Sequence, residues 1–267
     1  MKRLLFIGLI FCSTLGFTQT RLDSLKAKLS ESLEDTSRVN LLIDLGKETI
    51  DFDVALTKEY AIEANELAKK INFSKGSMMA LNILGNCSQR NGNLDSAMQL
   101  YDEVEKIALA TNNNKGMAIV LSNKGIIYID RGEYIKALEI ILKAVDYEKI
   151  VGDKRGIAEG YLNVGVVHYY MGDLENTLEY FKRSTDLTKE VGDLRVLKKG
   201  YINIGAIHHH KEEYEEALDY YQRGYYIAEE LNDQTDLSVT LRNMAQIYVK
   251  KEEFGKAEEN YKKSLTI

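Results

Sequence analysis

The chain has 267 residues, 45% of them hydrophobic and 28% charged, with a net charge of −6 at pH 7. That balance fits a soluble globular protein of one or two domains, and the acidic excess argues against a nucleic-acid surface or docking on anionic membranes. It contains no proline; average usage would give roughly a dozen, and because proline breaks helix interiors its absence favours helix almost throughout.

At the N-terminus Lys2 and Arg3 precede an apolar run from Leu4 to Phe17, and Gly16 and Thr18 set small side chains ahead of Gln19. This is the pattern of a secretory signal peptide over residues 1–18, and it predicts a periplasmic or otherwise extracytoplasmic protein. The run is short for a membrane span; the alternative is an uncleaved N-terminal anchor. Phe11 is too bulky, directly before Cys12, for a lipoprotein site. With residues 1–18 removed, Cys87 is the one cysteine left, so no intrachain disulfide can form. Its apolar and small neighbours predict a buried, inert thiol.

Residues 19–36 carry Leu22, Leu25, Leu29 and Leu33 on one side, which predicts a helix covering the open end of whatever follows. From residue 37 the chain repeats every 40 residues. One column reads Gly85, Gly125, Gly165, Gly205, Ala245, and a second Ala97, Ala137, Thr177, Ala217, Ala257. A third reads Gly92, Gly132, Gly172, Glu212, Glu252, and a fourth Tyr101, Ile141, Phe181, Tyr221, Tyr261. The register is unbroken over residues 77–267. The unit at residues 37–76 departs from it, with Leu45 and Thr57 in the glycine and alanine columns, and reads as a degenerate entry repeat.

Each unit reads as two helices. In one, Tyr161, Val164, Val167 and Tyr169 recur near helical spacing, Gly172-Asp173 marks a turn, and Leu174, Leu178, Phe181 and Leu187 form a second stripe. A period of this length signals a solenoid. The glycine and alanine columns are expected where the paired helices cross closely.

Tyr161, Asn163, Gly165, Gly172, Asp173, Leu174, Thr177 and Phe181 resemble the tetratricopeptide repeat in a long form, and Tyr201, Asn203, Gly205, Tyr214, Ala217 and Tyr221 repeat the resemblance. It covers residues 37–267, and it implies an all-α, right-handed superhelical solenoid of antiparallel helix pairs. The last unit begins at Leu237 and stops at Ile267 inside its second helix. The expectation is a chain cut short, whose uncapped end offers a surface to a second copy; a natural end with a frayed last turn is the alternative.

The resemblance also implies that the first helices line a concave groove for a partner segment. The positions three before and one, four and five after the glycine column would face it. Those are Asn82 and Asn86, then Ile126 and Ile129, then Leu162, Val166, Tyr169 and Tyr170. Ile202, His209 and His210 follow, and Arg242 and Gln246 close the series. The groove is expected to be polar at its entrance, apolar and aromatic in its middle and basic at its exit, which suits an extended or helical protein segment. Asn123, Asn163, Asn203 and Asn243, two before the glycines, could hold a ligand backbone because an amide both donates and accepts; a purely structural role is the competing expectation. Lys199 is followed at the next turn by Asn203, so a pair of basic residues four apart is not assembled there.

His208, His209 and His210 are consecutive and point about 100° apart on a helix, so they do not converge on an ion. His168 and His208 share a column otherwise held by Tyr128 and Tyr248 and are expected to pack between helices. No serine elbow, zinc helix or calcium loop is present, and Gly160 and Gly165 have phosphate-loop spacing without the Lys and Ser/Thr that such a loop needs. The expectation is a non-catalytic, cofactor-free, metal-free scaffold that binds a protein or peptide outside the cytoplasm, with no membrane span after residue 18. The alternative is the sensory region of a signalling protein (histidine kinase, nucleotide cyclase or transcriptional regulator) whose membrane and output domains lie beyond residue 267.

Overall fold

The computed structural model describes residues 21–267; over these the chain is helical, with short turns and no strand. The signal peptide expected at residues 1–18 and the first residues of the predicted covering helix lie outside the described residues. Helix α1 covers residues 21–31. It is followed by α2 (Thr36–Thr49), α3 (Val54–Lys70), α4 (Ser74–Arg90), α5 (Leu94–Ala110), α6 (Asn114–Asp130) and α7 (Tyr134–Val151). Then come α8 (Lys154–Tyr170), α9 (Leu174–Val191), α10 (Leu194–His210), α11 (Tyr214–Glu230), α12 (Gln234–Lys250) and α13 (Phe254–Thr266).

Two compact units divide the helices, one ending at Ile127 and one beginning at Tyr128. In the first, α2 packs on α3, α3 on α4, and α4 on α5. In the second, α8 pairs with α9, α10 with α11 and α12 with α13, while α7 packs on α8, α9 on α10 and α11 on α12. Among these are helix hairpins that the sequence spacing predicts: α2 with α3, α4 with α5, α8 with α9, α10 with α11 and α12 with α13.

The turns follow from two backbone devices. After the first helix of every repeat but the entry one, a residue takes a left-handed φ: Gly92 at 76°, Gly132 at 72°, Gly172 at 79°, and then Glu212 at 61° and Glu252 at 58°. This lets the chain double back on the end of the helix. The amide of Asp173 donates to the His168 carbonyl at 2.9 Å and that of Gly172 to Tyr169 at 3.0 Å, satisfying carbonyls that the helix end would leave bare. Glycine accepts this conformation without strain, whereas glutamate does not. An aspartate then starts many of the helices. The side chains of Asp53, Asp153, Asp173, Asp193 and Asp233 each accept from a backbone N–H in the first turn.

The glycine column proves to serve a ring. A Cβ built on Gly85 would stand 2.3 Å from Tyr101, one on Gly165 2.5 Å from Phe181, and one on Gly205 2.8 Å from Tyr221. The residue sixteen places on, in the middle of the second helix, sets its ring against bare first-helix backbone. This agrees with the expectation that the paired helices cross closely at the glycine column, and adds that a ring fills the space. Ala97, Ala137, Thr177 and Ala217 are fully buried in their own right, but the steric demand on glycine comes from the aromatic column. In the entry repeat the sizes are exchanged: Leu45 stands at the glycine position and Ala61 at the aromatic one, and both are fully buried. Thr57 keeps its place in the core by donating to the Asp53 carbonyl at 2.8 Å and sharing a 2.8 Å hydrogen bond with Thr49.

Helix α1 buries Leu22, half-buries Leu25 and Leu29, and is tied to α2 by Arg21 with Glu48 at 3.0 Å and by Arg38 donating to the Leu29 carbonyl at 3.1 Å. Leu33 lies beyond its end and is exposed, so the predicted leucine stripe is one residue shorter than expected. Cys87 is buried, and burial raises its thiol pKa, in keeping with an inert side chain. Two lysines are buried among carboxylates. Lys124 meets Asp102 at 2.6 Å and also Glu105, and Lys198 meets Asp236 at 2.6 Å and also Asp233. Among the described residues no helix is long and apolar enough to cross a membrane.

Candidate functional site

The positions four and five after the glycine column fall on the last turns of α8 and α10. In α8 they are Tyr169 and Tyr170, 43% and 53% exposed. They touch edge to face at 5.7 Å. Tyr170 stacks in parallel on Tyr134, with centroids 5.6 Å apart and planes 3° apart, and Tyr169 meets the edge of His210 at 6.4 Å. The result is a run of four rings, Tyr134, Tyr170, Tyr169 and His210, bordered by the exposed Met171. Sequence reasoning placed three of these rings at the site and missed Tyr134, which the turn motif had absorbed: it stands two residues after Gly132 in the column that also gives Tyr214.

The other predicted groove residues divide. Leu162 is buried with Phe181, Val196 and Ile204 in one core cluster, and its remaining edge lines two small clefts of this face. Val166 packs half-buried against the same cluster, Ile129 packs against Ala137 and Val164, and Ile202 packs under Gly224 and against the last core cluster. Ile126 is half-buried, and Arg242 and Gln246 are exposed. His209 is half-buried between the edges of Tyr214 and Tyr221. Burial first, then Lys250 and His210, hold its pKa below the ordinary histidine value, so it is neutral at pH 7.

The asparagine column works partly in the fold. Asn123 donates from Nδ2 to Asn82 Oδ1 at 2.7 Å. The Tyr101 hydroxyl donates to Asn86 Oδ1 at 2.6 Å. Asn243 bonds the hydroxyl of Tyr221, whose pKa burial drives upward. Asn163 and Asn203 line a small cleft of 190 Å³ with Val166, Lys199 and Ile202, so they remain beside open space. Lys199 has Arg195 one turn before it, so two basic residues four apart do stand on α10 and line an adjoining 500 Å³ depression, which corrects the expectation drawn from Lys199 and Asn203 alone.

The first unit holds a larger cleft that the sequence did not announce. It measures 740 Å³, and Met78, Met79, Ile83 and Ile119 form its floor. Asn82 and Asn86 stand in its wall, and Lys47, Lys75 and Lys115 surround it. The polar entrance expected from Asn82 and Asn86 is therefore the edge of an apolar hollow. The signal was present as two further columns: Met79 with Ile119, and Lys75 with Lys115, each 40 residues apart.

His168 and His208 stack on Tyr180 and Tyr220 at 5.5 and 5.4 Å between paired helices, and their Nδ1 atoms lie 3.4 Å from Asp173 and 2.6 Å from Glu213. Among the described residues no three metal-binding side chains come together.

Residues 199–267 match the tetratricopeptide repeat family. No curated protein matches the chain. Among solved structures, the chain is similar to BtubC (BKLC) from P. vanneervenii at 18% identity, over 87% of this chain and 91% of that one, with a TM-score of 0.67. It is similar to a Rap protein complexed with competence and sporulation factor at 14% identity, over 93% and 79% of the two chains, with a TM-score of 0.74. A third likeness is to NprR in complex with its cognate peptide NprX, at 14% identity over 98% and 76%, with a TM-score of 0.65. At these identities the likeness establishes the fold.

Proposed function

We propose that the chain, whose residues 199–267 match the tetratricopeptide repeat family, is a non-catalytic scaffold that holds a protein or peptide segment on the exposed faces of its first helices. The observation that carries this is the run of rings at Tyr134, Tyr170, Tyr169 and His210, of which Tyr169, Tyr170 and His210 are exposed and Tyr134 is half-buried. Exposed rings at the ends of α8 and α10 present rigid apolar area at low entropic cost, which is what a partner's side chains seat against. Asn163 and Asn203, beside open space on the same helices, supply amides for a partner's backbone. Two of the similar structures support a peptide as the occupant, since one holds competence and sporulation factor and another its cognate peptide NprX. The signal-peptide pattern of residues 1–18 supports a place outside the cytoplasm.

Joint replacement Tyr169→Ala and Tyr170→Ala tests the assignment. The double variant should melt within a few degrees of the parent, because both rings are exposed, and should lose most of its capture of peptides from a mixed peptide pool. Capture equal to the parent's, or early melting, would assign these tyrosines to something else.

A further inference from the structure

The outer face of α7 departs from the second helices that follow it. Ile135, Leu142 and Ile150 are 69%, 36% and 66% exposed there. They are seven and eight residues apart, two turns each, so the three side chains share one face of the helix. The same columns hold Glu175, Lys182 and Glu190 in α9, and Glu215, Gln222 and Glu230 in α11. Those helices turn polar groups to water where α7 turns aliphatic ones. The face belongs to a second helix, not to the first-helix surface proposed to hold a peptide.

The stripe reads nearly the same in both directions about the point between Leu142 and Lys143. Ile135 answers Ile150, Lys136 answers Lys149, and Glu139 answers Asp146. A twofold contact is self-complementary, so what a copy presents at one end it receives at the other. Two such helices laid antiparallel put isoleucine on isoleucine at both ends and leucine on leucine at the axis. Glu139 and Asp146 then fall opposite one another, but each brings its own lysine. Lys143 meets Glu139 at 2.7 Å, Lys149 meets Asp146 at 2.8 Å, and Lys136 meets Glu133 at 2.5 Å. Neutral pairs therefore face neutral pairs. Helix α7 as a whole carries three lysines against three acids, so a chain of net charge −6 meets its copy here without local repulsion.

We propose that the outer face of α7 is a self-association surface, on which a second copy of the chain lays its own α7 antiparallel. Ile135 of each copy seats on Ile150 of the other, and the two Leu142 side chains meet at the twofold axis. Area sets the strength. The three side chains leave about 300 Å² of apolar surface in water, the size at which a patch on a monomer begins to mark an interaction site. Two such patches with the usual polar rim make an interface of about 1,000 Å², the lower limit for a specific pair. The dimer is therefore weak, with a Kd on the order of 10 μM.

Sedimentation velocity on the purified protein from about 1 to 200 μM brackets that Kd. The mass should rise from one copy to two across the range. Ile135→Asp with Ile150→Asp should stay at one copy throughout and melt within a few degrees of the parent, because both side chains stand in water. A short bismaleimide cross-linker reads the orientation in protein carrying Cys12→Ser, so that the buried Cys87 is the only native thiol. Leu142→Cys should link to itself. Ile135→Cys and Ile150→Cys should link when mixed and not alone, because the two ends lie about 22 Å apart along the helix. Tyr169→Ala with Tyr170→Ala should leave the dimer as it is, which separates self-association from peptide capture. A parent that stays monomeric over the range, a dimer that survives the aspartate pair, or Ile135→Cys that links to itself and not to Ile150→Cys would overturn the proposal.

Discussion

The Phe181 ring lies directly on the backbone of Gly165: a Cβ at that glycine would stand 2.5 Å from Cε1 and 2.6 Å from Cδ1. The same relation joins Gly85 to Tyr101 and Gly205 to Tyr221. Each of these three hairpins is therefore closed by one large side chain against one absent side chain. Gly165→Leu should destabilise the chain by about 1–3 kcal/mol or more, as overpacking in a filled core does. The entry repeat, with Leu45 and Ala61 in the corresponding places, indicates the remedy. Adding Phe181→Ala to Gly165→Leu should recover part of the loss, so that the double variant is more stable than the sum of the two single effects predicts. Chemical denaturation of the four proteins checks this; additive effects would refute the pairing.

The turn after the first helix uses glycine in three described repeats and glutamate in two, all at positive φ. Glu212 at 61° and Glu252 at 58° carry a local cost that Gly172 at 79° does not. Glu212→Gly should stabilise by up to about 1 kcal/mol, and Gly172→Ala should destabilise by about 1 kcal/mol. Thermal melting of each variant reads the sign directly.

Much of this architecture was legible from the sequence, and the reason is geometric. A hairpin that repeats without insertion puts each physical demand on its own column, so turn, ring contact and small residue separate when the chain is aligned on itself. The ring that fills each glycine's space was not legible, because columns of small residues mark a close crossing without naming the neighbour that occupies it. That Leu162 packs in a core cluster while its edge lines a cleft was hidden too, because spacing does not encode how much of a side chain its neighbours cover. The hollow escaped notice because its wall draws on α2, α4, α5 and α6 at different offsets, and only Lys75 with Lys115 and Met79 with Ile119 share columns.

Burial of Lys198 between helices α10 and α12 sets up an asymmetric pair of outcomes. Asp233→Asn with Asp236→Asn leaves the ammonium without a counter-charge and should destabilise by about 3 kcal/mol, near the low end for a broken buried pair because both aspartates are partly exposed. Asn at position 233 can still cap α12, so the cap is not the cause of the loss. Lys198→Met, which removes the charge and keeps the volume, should cost less than half as much. Equal losses in urea denaturation would contradict the ionic account.

His209 predicts a pH dependence. Its folded pKa is depressed, chiefly by burial, so the unfolded chain binds its proton first as pH falls. The neutral ring's contribution is complete above the ordinary histidine range and is lost as pH drops through about 6.5 toward the lower folded value. The difference in melting temperature between pH 7.5 and pH 5.5 should narrow in His209→Gln. An unchanged difference would show that the ring titrates in water.

Carbon-13 labelling of the methionine methyl groups gives the most direct view of whether first-helix faces hold a peptide. Met171 borders the exposed rings, Met78 and Met79 floor the hollow, and Met244 is buried in a core cluster. Titration with a mixed peptide pool should move the Met171 and Met79 signals and leave Met244 in place. Unmoved signals at both of these positions, or a uniform shift that includes Met244, would contradict the scaffold described here.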